Sequence, residues 1–304
     1  MKTEKFKSFD GLELTCYLWD DVKDAKGVVQ ISHGMAEHAQ RYDAFAQYLN
    51  ANGFIVFADD HRAHGATAED HVGYQDGNIF EDTAQDLIEI SKMLIAKYNL
   101  PLVLIGHSYG SFLSQRYIEL NGSACGVILS GSAKMAGLLP AVGKLVANMI
   151  YSEKNAKEPG STMDKLSFGS YNKPFAADGD FAWLSRDIES NKKYIADPWC
   201  GVVMSNAFFK YFMDGLGNMY QKENLAHISK DAKIRIFSGA KDPVGSQGKS
   251  TTALYNMYKQ LGVEDVEIKL YADARHEILN ETNKEEVYAD MLAAANYFVE
   301  KAAK

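Results

Sequence analysis

The residue whose setting most directly indicates chemistry is Ser108, which follows an apolar run and has a glycine two positions to either side. The run reads Leu102-Val103-Leu104-Ile105-Gly106-His107-Ser108-Tyr109-Gly110. This G-x-S-x-G pattern predicts a sharp turn from strand to helix that exposes the serine oxygen as a nucleophile. Gly106 and Gly110 are expected there because larger side chains would collide with the neighbouring strand and helix.

A serine hydroxyl is a weak nucleophile at neutral pH, so it needs a histidine base and a carboxylate that orients the base. Asp242 and His276 each follow a strand-like run, and ligand sites form beyond the carboxyl ends of parallel strands. The order serine, aspartate, histidine therefore predicts a catalytic triad of Ser108, Asp242 and His276. Asp273 is a rival acid, but it lies too near His276 in sequence to face its ring from another loop.

Acyl transfer also needs main-chain donors for the oxyanion that forms on the carbonyl oxygen. The N–H of Tyr109, at the start of the helix after the nucleophile, is one predicted donor. The second is expected from the loop after an early strand, where His33-Gly34-Met35 stands, and we assign it to the N–H of Met35.

Other polar residues are less specific. Asp60, His61, Arg62 and His64 follow another strand-like run, but no second cluster completes a metal coordination shell. We interpret them as a structural loop beneath the site, and we expect neither a metal nor a cofactor. Glu37 is predicted to interact with the dipole of the helix that follows it.

The bulk composition is that of an ordinary globular protein: the chain has 304 residues, of which 46% are hydrophobic and 24% charged. A net charge of -8 without a basic cluster argues against a nucleic-acid partner. Cys16, Cys125 and Cys200 are far apart, which favours a reducing compartment. The beginning of the sequence lacks a signal-like apolar stretch and no run is long enough to span a membrane, so we expect a cytoplasmic protein. Nothing indicates the oligomeric state.

Strand-like and helix-like segments alternate, which predicts an α/β fold with a mostly parallel sheet and helices on both faces. A hairpin around Asp10-Gly11 precedes this alternation. The pattern stops after Ser132, where helices are expected over 138–149 and 202–213. It resumes at Lys233 and includes a last strand expected over Val266–Tyr271. We therefore predict a core domain formed by residues 1–133 and 228–304, with a helical insertion at 134–227.

The insertion contains an apolar stripe that is typical of either a buried core or the face of a lid that meets lipid. Its members are Leu138, Leu139, Val142, Leu145, Val146, Met149 and Ile150.

Taken together, the motifs resemble those of the monoacylglycerol lipase and lysophospholipase group of α/β-hydrolases, also called the serine aminopeptidase S33-like group. The matching core motifs are His33-Gly34-Met35-Ala36-Glu37-His38, Arg41-Tyr42, Asp60-His61-Arg62-Ala63-His64-Gly65, Gly106-His107-Ser108-Tyr109-Gly110, Asp242-Pro243-Val244 and Arg275-His276-Glu277. The insertion has matching motifs that resemble the cap domain of bacterial members: Tyr171-Asn172-Lys173-Pro174-Phe175, Asp180-Phe181-Ala182-Trp183-Leu184-Ser185-Arg186-Asp187 and Asp197-Pro198-Trp199-Cys200-Gly201.

The resemblance implies an α/β-hydrolase fold with a helical cap and a serine hydrolase that cleaves single-chain acyl esters through an acyl-enzyme. It assigns Ser108, Asp242 and His276 as the triad, with Met35 and Tyr109 as oxyanion donors. Two positions depart from the family pattern. Ala63 replaces a glycine, which constrains a turn, and Tyr109 replaces a common methionine, which leaves the chain-length preference open.

Other acyl chemistries on the same scaffold stay open at this point: an aminopeptidase, a thioesterase or an acyltransferase. An aminopeptidase would need acidic groups in the cap to bind an ammonium, and Glu153, Glu158, Asp178 and Asp180 could supply them. A ligand-binding receptor that has kept the fold is the alternative outside enzymes. The expected partner is a small acyl ester, with transient membrane contact through the cap.

Overall fold

The computed structural model, which describes residues 1–303 apart from the side chain of Leu139, is built on one eight-stranded sheet in the order β1-β2-β4-β3-β5-β6-β7-β8. The strands are β1 (Lys2–Lys7), β2 (Glu13–Trp19), β3 (Gly27–Ser32), β4 (Phe54–Asp59), β5 (Leu102–His107), β6 (Gly126–Ser130), β7 (Ile234–Gly239) and β8 (Val266–Tyr271). Strands β1 and β2 pair antiparallel, as does β2 with β4, and all other pairs are parallel. The predicted mostly parallel sheet is confirmed.

Helices cover both faces of this sheet, as the alternating pattern predicted. They are α1 (Asp43–Ala51), α2 (Gly65–Ala68), α3 (Ile79–Tyr98), α4 (Tyr109–Glu119), α5 (Leu138–Ile150), α6 (Ser161–Phe168), α7 (Ile188–Ala196), α8 (Asn206–Met219), α9 (Lys222–Leu225), α10 (Lys249–Gln260) and α11 (Lys284–Ala302). One apolar layer joins α3, α4, α8 and α10 to the sheet, and a second joins α1 and α11 to its other face. Strands β3, β4 and β5 are buried along their whole length, which explains their near-continuous apolar sequences.

The chain between β6 and β7, residues 131–233, which we call the β6–β7 segment, contains α5 to α9. The only sheet-like pairing in the described part of this segment is one bridge between Pro159 and Ser205. A helix was expected over 202–213, but α8 begins at Asn206 because the Ser205 side chain accepts a hydrogen bond from the N–H of Phe208. The division into a core of residues 1–133 and 228–304 with a helical cap at 134–227 stays a prediction.

Helix α5 has two different faces. Val146 and Ile150 pack against the core and Ala147 is buried, whereas a stripe on the opposite face is exposed. The exposed stripe consists of Leu138 (82% exposed), Val142 (46%), Leu145 (60%) and Met149 (77%). Leu139, which belonged to the predicted apolar stripe, lies outside the described side chains. Among residues 1–303, no helix is long and apolar enough to cross a membrane.

Candidate active site

Ser108 occupies the turn between β5 and α4 with a strained backbone, φ 51° and ψ -117°. A non-glycine residue at such angles costs of order 1–3 kcal/mol and persists only when the surroundings enforce it. The surroundings do so here, because a Cβ on Gly106 would lie 2.3 Å from the Gly110 carbonyl oxygen, and one on Gly110 would lie 2.1 Å from that of Ser32. The two glycines let β5, α4 and β3 meet closely around Ser108.

Asp242 and His276 form a buried hydrogen-bonded pair beyond the ends of β7 and β8. His276 Nδ1 lies 3.0 Å from Asp242 Oδ2, and the two side chains are 2% and 0% exposed. The Asp242 carboxylate also accepts hydrogen bonds from the N–H of Val244 at 2.8 Å and from the Ser238 hydroxyl at 3.2 Å. Asp273, the rival acid, is exposed and makes no side-chain hydrogen bond to His276.

The ionisation of His276 reflects this pairing. Burial alone would lower its pKa, but the charge of Asp242 and its hydrogen bond outweigh burial and raise the pKa above the ordinary histidine value. The neighbouring His107, whose ring centroid is 4.8 Å from that of His276, has its pKa lowered to about 4 by burial and by His276. Of these two adjacent imidazoles, His276 is the one suited to carry a proton.

The loop that contains Met35 lies directly against Ser108. The Cβ position of Gly34 is 3.3 Å from the Cβ of Ser108. The N–H of Gly34 is already used, because it donates to Glu37 Oε1 at 2.6 Å. Among the hydrogen bonds of residues 1–303, none is donated by the N–H of Met35 or Tyr109. These two amides are therefore available to a substrate oxygen.

Sequence reasoning missed an ion-pair cluster that supports this loop. Arg41 pairs with Glu37 and, through two hydrogen bonds of 2.8 and 2.7 Å, with Glu277, the residue next to His276. Burial would raise the pKa of Glu277, but Arg41 lowers it to about 2. The expectation that Glu37 serves a helix dipole was wrong, because its carboxylate binds Gly34, Arg41 and Tyr42 instead. The motifs contained all of these residues, but spacing alone did not pair them.

The polar run after β4 forms an internal network. Asp60 accepts hydrogen bonds from the N–H groups of Ala39 and Ala66, and His61 bridges Ser32 Oγ and Asp59 Oδ2 at 2.9 and 2.7 Å. These contacts agree with the structural interpretation of the loop. Ala63 stands where the family pattern has glycine, and its φ is 65°. This left-handed backbone conformation favours glycine.

A different set of donors comes together where the β6–β7 segment meets the loop after β3. Ligand atoms of His38, Asp197 and Cys200 lie within 4.8 Å of one another. The donor types suit zinc, but Asp197 Oδ2 already pairs with His38 Nε2 at 2.9 Å and its Oδ1 accepts the N–H of Trp199 at 2.9 Å. In this structure the cluster joins the two parts of the chain through the hydrogen bond between His38 and Asp197.

The β6–β7 segment also contacts His276 directly, which the sequence did not indicate. The Trp183 indole stacks on the His276 imidazole with ring centroids 5.1 Å apart and planes at 29°.

The four carboxylates considered for binding the ammonium group of a peptide substrate, Glu153, Glu158, Asp178 and Asp180, are all exposed. One of them, Asp178, pairs with Arg275.

The chain is similar to known proteins both in sequence and in fold. A family model described as serine aminopeptidase, S33, matches residues 23–283. The monoacylglycerol lipase of Mycolicibacterium smegmatis is 28% identical over 292 residues, which cover 94% of each chain.

Solved structures share the fold over nearly the whole chain. A thermostable carboxyl esterase from Bacillus coagulans, in complex with glycerol, has a TM-score of 0.88 and 27% identity, with 98% of each chain covered. A soluble variant of monoglyceride lipase from Saccharomyces cerevisiae has a TM-score of 0.76 at 20% identity, covering 98% of this chain and 94% of that one. The second likeness, at its lower identity, shows the fold alone.

Proposed function

Since the chain belongs to the serine aminopeptidase S33 family of α/β-hydrolases and is a carboxylic ester hydrolase, we propose that it cleaves single-chain acyl esters through a Ser108–His276–Asp242 triad. The 3.0 Å hydrogen bond between His276 Nδ1 and Asp242 Oδ2 carries this proposal. It fixes the proton on Nδ1 and leaves Nε2 free to accept the proton of a nucleophile.

The first half of the reaction makes an acyl-enzyme. His276 Nε2 takes the Ser108 hydroxyl proton as Oγ bonds to the substrate carbonyl carbon. The negative charge on the carbonyl oxygen is held by the N–H groups of Met35 and Tyr109. When the tetrahedral intermediate collapses, the bond to the alcohol oxygen breaks and the proton on Nε2 passes to that oxygen.

The second half releases the acid. A water molecule gives a proton to His276 Nε2 while its oxygen attacks the acyl carbon, and the same two N–H groups hold the oxyanion. The bond to Ser108 Oγ then breaks and the proton returns to the serine oxygen. Throughout, Asp242 stabilises the charged imidazolium, in keeping with the raised pKa of His276.

Monoacylglycerols are the substrate class that the relatives support best. The relative from Mycolicibacterium smegmatis is a monoacylglycerol lipase, and the esterase from Bacillus coagulans was solved with glycerol, the alcohol that such an ester would release. Lysophospholipids and simple carboxylic esters present the same single-chain acyl group. An aminopeptidase finds less support, because Glu153, Glu158, Asp178 and Asp180 are exposed instead of enclosed near Ser108.

Single-chain acyl esters reside at lipid surfaces, and the exposed face of α5 is suited to contact such a surface. Leu138, Val142, Leu145 and Met149 form a continuous apolar stripe on a helix of the β6–β7 segment. Burying a leucine-sized side chain is worth about 1.5–3 kcal/mol. Insertion of this stripe would therefore hold the enzyme transiently at the surface that contains its substrate.

The experiment that tests the triad compares Ser108→Ala with the protein as it is. We expect hydrolysis of a short p-nitrophenyl ester and of a monoacylglycerol to fall by about 10⁶-fold, since the nucleophile is lost. Ser123→Ala, at an exposed position just before β6 and so at the edge of the sheet opposite to the strand ends that carry the site, is the matched control and should keep full activity. A fluorophosphonate should label the native protein and not Ser108→Ala. Turnover that survives Ser108→Ala would overturn the proposed nucleophile.

A further inference from the structure

The loop that holds His276 is fixed by main-chain bonds to the β6–β7 segment. The N–H of His276 donates to the carbonyl oxygen of Trp183 at 3.3 Å, and that of Glu277 donates to the carbonyl of Leu184 at 2.7 Å. His276 follows β8 in an irregular turn, so it has no helical or sheet ladder of its own. Its backbone is therefore held by residues that come much earlier in the chain.

Side chains on both sides of His276 reinforce these bonds. Arg275 Nη1 donates to the carbonyl oxygen of Ala182 at 2.6 Å, across 93 positions of sequence, and Arg275 also pairs with Asp178. On the other side, the Ser185 hydroxyl donates to the carbonyl of Asn280 at 2.8 Å. The catalytic loop is thus attached to the β6–β7 segment before and after the histidine.

The ring of His276 has a contact of its own. Asp242 holds only one edge of the imidazole, at Nδ1, which leaves the tilt of the ring to its packing. Trp183 stacks on the ring at 5.1 Å, and His107 lies at 4.8 Å from it. The backbone of Trp183 is itself fixed, because its main-chain N–H donates a hydrogen bond to Asn172 Oδ1 at 3.0 Å.

The Trp183 indole is also held by aromatic neighbours within the β6–β7 segment. Its ring lies 6.3 Å from that of Phe168, nearly parallel, and 5.3 Å from that of Tyr171 in an edge-to-face arrangement. Such pairs keep an aromatic ring in one orientation. The indole therefore presents a stationary face to the imidazole.

From these contacts we propose that Trp183 is a positioning residue for the base: its ring sets the tilt of the His276 imidazole and its backbone holds the histidine loop. This inference rests on the proposed function, in which His276 transfers the proton of Ser108. Misplacement of a catalytic group by about 1 Å can cost roughly a hundredfold in rate, so a loosely held imidazole is expected to lower kcat. Trp183 acts on His276 and touches no reacting atom in this mechanism.

The kinetic experiment compares Trp183→Ala, Trp183→Leu and Trp183→Phe. We expect kcat and the rate of fluorophosphonate labelling of Ser108 to fall together by about 10- to 100-fold in the first two, with KM little changed. Trp183→Phe, which keeps an aromatic face, should recover most of the rate. Leucine retains apolar bulk without a flat ring, so it separates stacking from simple filling of space if the alanine variant folds poorly.

Trp199→Ala provides the matched control, because this indole lies 5.2 Å from His38, edge-on, in the same segment. Its kcat should stay within about twofold of the native value, since His38 has no part in the proposed proton transfer. If Trp183→Leu keeps the native kcat while Ser108→Ala is inactive, the positioning role is wrong and the triad stands. If Ser108→Ala stays active, the proposed function itself fails.

A spectroscopic measurement tests the stacking without relying on activity. In a Trp19→Phe, Trp199→Phe background, Trp183 is the sole indole, and a protonated imidazole in contact with it quenches its emission. Emission should fall with decreasing pH at the same midpoint as the acid limb of kcat/KM, and His276→Gln should abolish the transition. An emission that does not respond to pH, or responds equally in His276→Gln, would overturn the proposed stacking.

Discussion

At the scale of single residues, the site depends on a few atoms whose roles are set by their surroundings. Asp242 and His276 are ordinary side chains in sequence, and their pairing in a buried setting makes the imidazole a better proton acceptor. The sign of this effect follows from charge: a carboxylate beside the ring stabilises the protonated form and so raises the pKa. The hydrolytic rate should therefore depend on pH in a defined direction.

We predict that kcat/KM falls as pH is lowered through a pKa above the ordinary histidine value of about 6.5, because only neutral His276 accepts a proton. Asp242→Asn should lower kcat by roughly 10⁴-fold and move the acid limb to lower pH. The measurement is a pH profile of ester hydrolysis in a pH-stat. Asp273→Asn, the matched control at an exposed left-handed position that asparagine tolerates, should keep the native profile. Loss of activity in Asp273→Asn alone would assign the acid to Asp273.

Residue patterns gave the candidate triad but not its supports. Ser108, Asp242 and His276 could be found because each follows a strand-like run, and strand ends converge in a parallel sheet. Arg41 and Trp183 could not be assigned in this way, since their partners Glu277 and His276 lie far away in sequence. Contacts between distant loops depend on packing, which periodicity does not encode.

At the scale of elements, the serine turn depends on three pieces of backbone that nearly touch. Helix α4 crosses the end of β3 so closely that the Gly110 Cβ position lies 2.1 Å from the Ser32 carbonyl oxygen and 2.5 Å from that of His33. These are main-chain atoms that cannot rotate away. The same strand leads into the loop of Met35, so this crossing sets the distance between Ser108 and the N–H of Met35, the pair that we propose as nucleophile and oxyanion donor.

Gly110→Ala is accordingly predicted to destabilise the protein by about 1–3 kcal/mol and to lower kcat, because α4 must move away from β3. Thermal or urea unfolding measures the first effect and ester hydrolysis the second. Gly143→Ala is the matched control within α5: among the described side chains its Cβ would meet only Met213 Sδ, at 3.5 Å, and alanine favours helix. Its stability should stay equal or rise by up to about 1 kcal/mol. Equal stability of the two variants would refute the close-crossing argument.

The predicted bounds of an element agree with the structure where its apolar run is continuous. They agree less well where a side-chain cap sets the end of a helix. Strand β8 was predicted over Val266–Tyr271 and forms there, whereas α8 begins and ends later than its apolar pattern indicated. The later start of α8 comes from the Ser205 cap, and the helix continues past Gly215, whose Cβ position lies 2.1 Å from the Phe80 ring. The spacing of apolar residues does not encode a side-chain cap or a close crossing of two helices.

At the scale of the whole molecule, the β6–β7 segment contains two contrasting surfaces. One surface, around Trp183 and Leu184, is attached to the histidine loop by main-chain bonds. The other is the exposed stripe of α5. We expect the first to stay in place during turnover and the second to respond to a lipid surface.

We predict that Leu145→Asp weakens binding to phosphatidylcholine vesicles containing monoacylglycerol by about tenfold or more, because a charged group replaces a side chain that inserts into lipid. Co-sedimentation measures binding, and hydrolysis of a water-soluble p-nitrophenyl ester should be unchanged. Ile195→Asp is the matched control: Ile195 (51% exposed) lies on α7, where Ile188 is the one other exposed large aliphatic residue, so α7 has no stripe like that of α5. If Leu145→Asp binds vesicles as well as the native protein does, the α5 face has no part in surface contact.

The attachment of the histidine loop to residues 182–185 affects the order in which the parts of the protein fold. On the ribosome, the β6–β7 segment is made before β7, β8 and the loop that contains His276, so Ser108 leaves the ribosome long before its partner histidine. The anchors at residues 182–185 are thus made before the histidine loop that binds them. When the full chain refolds from urea, far-ultraviolet circular dichroism should recover earlier than esterase activity, because the central strands can pair before these two distant parts of the chain meet.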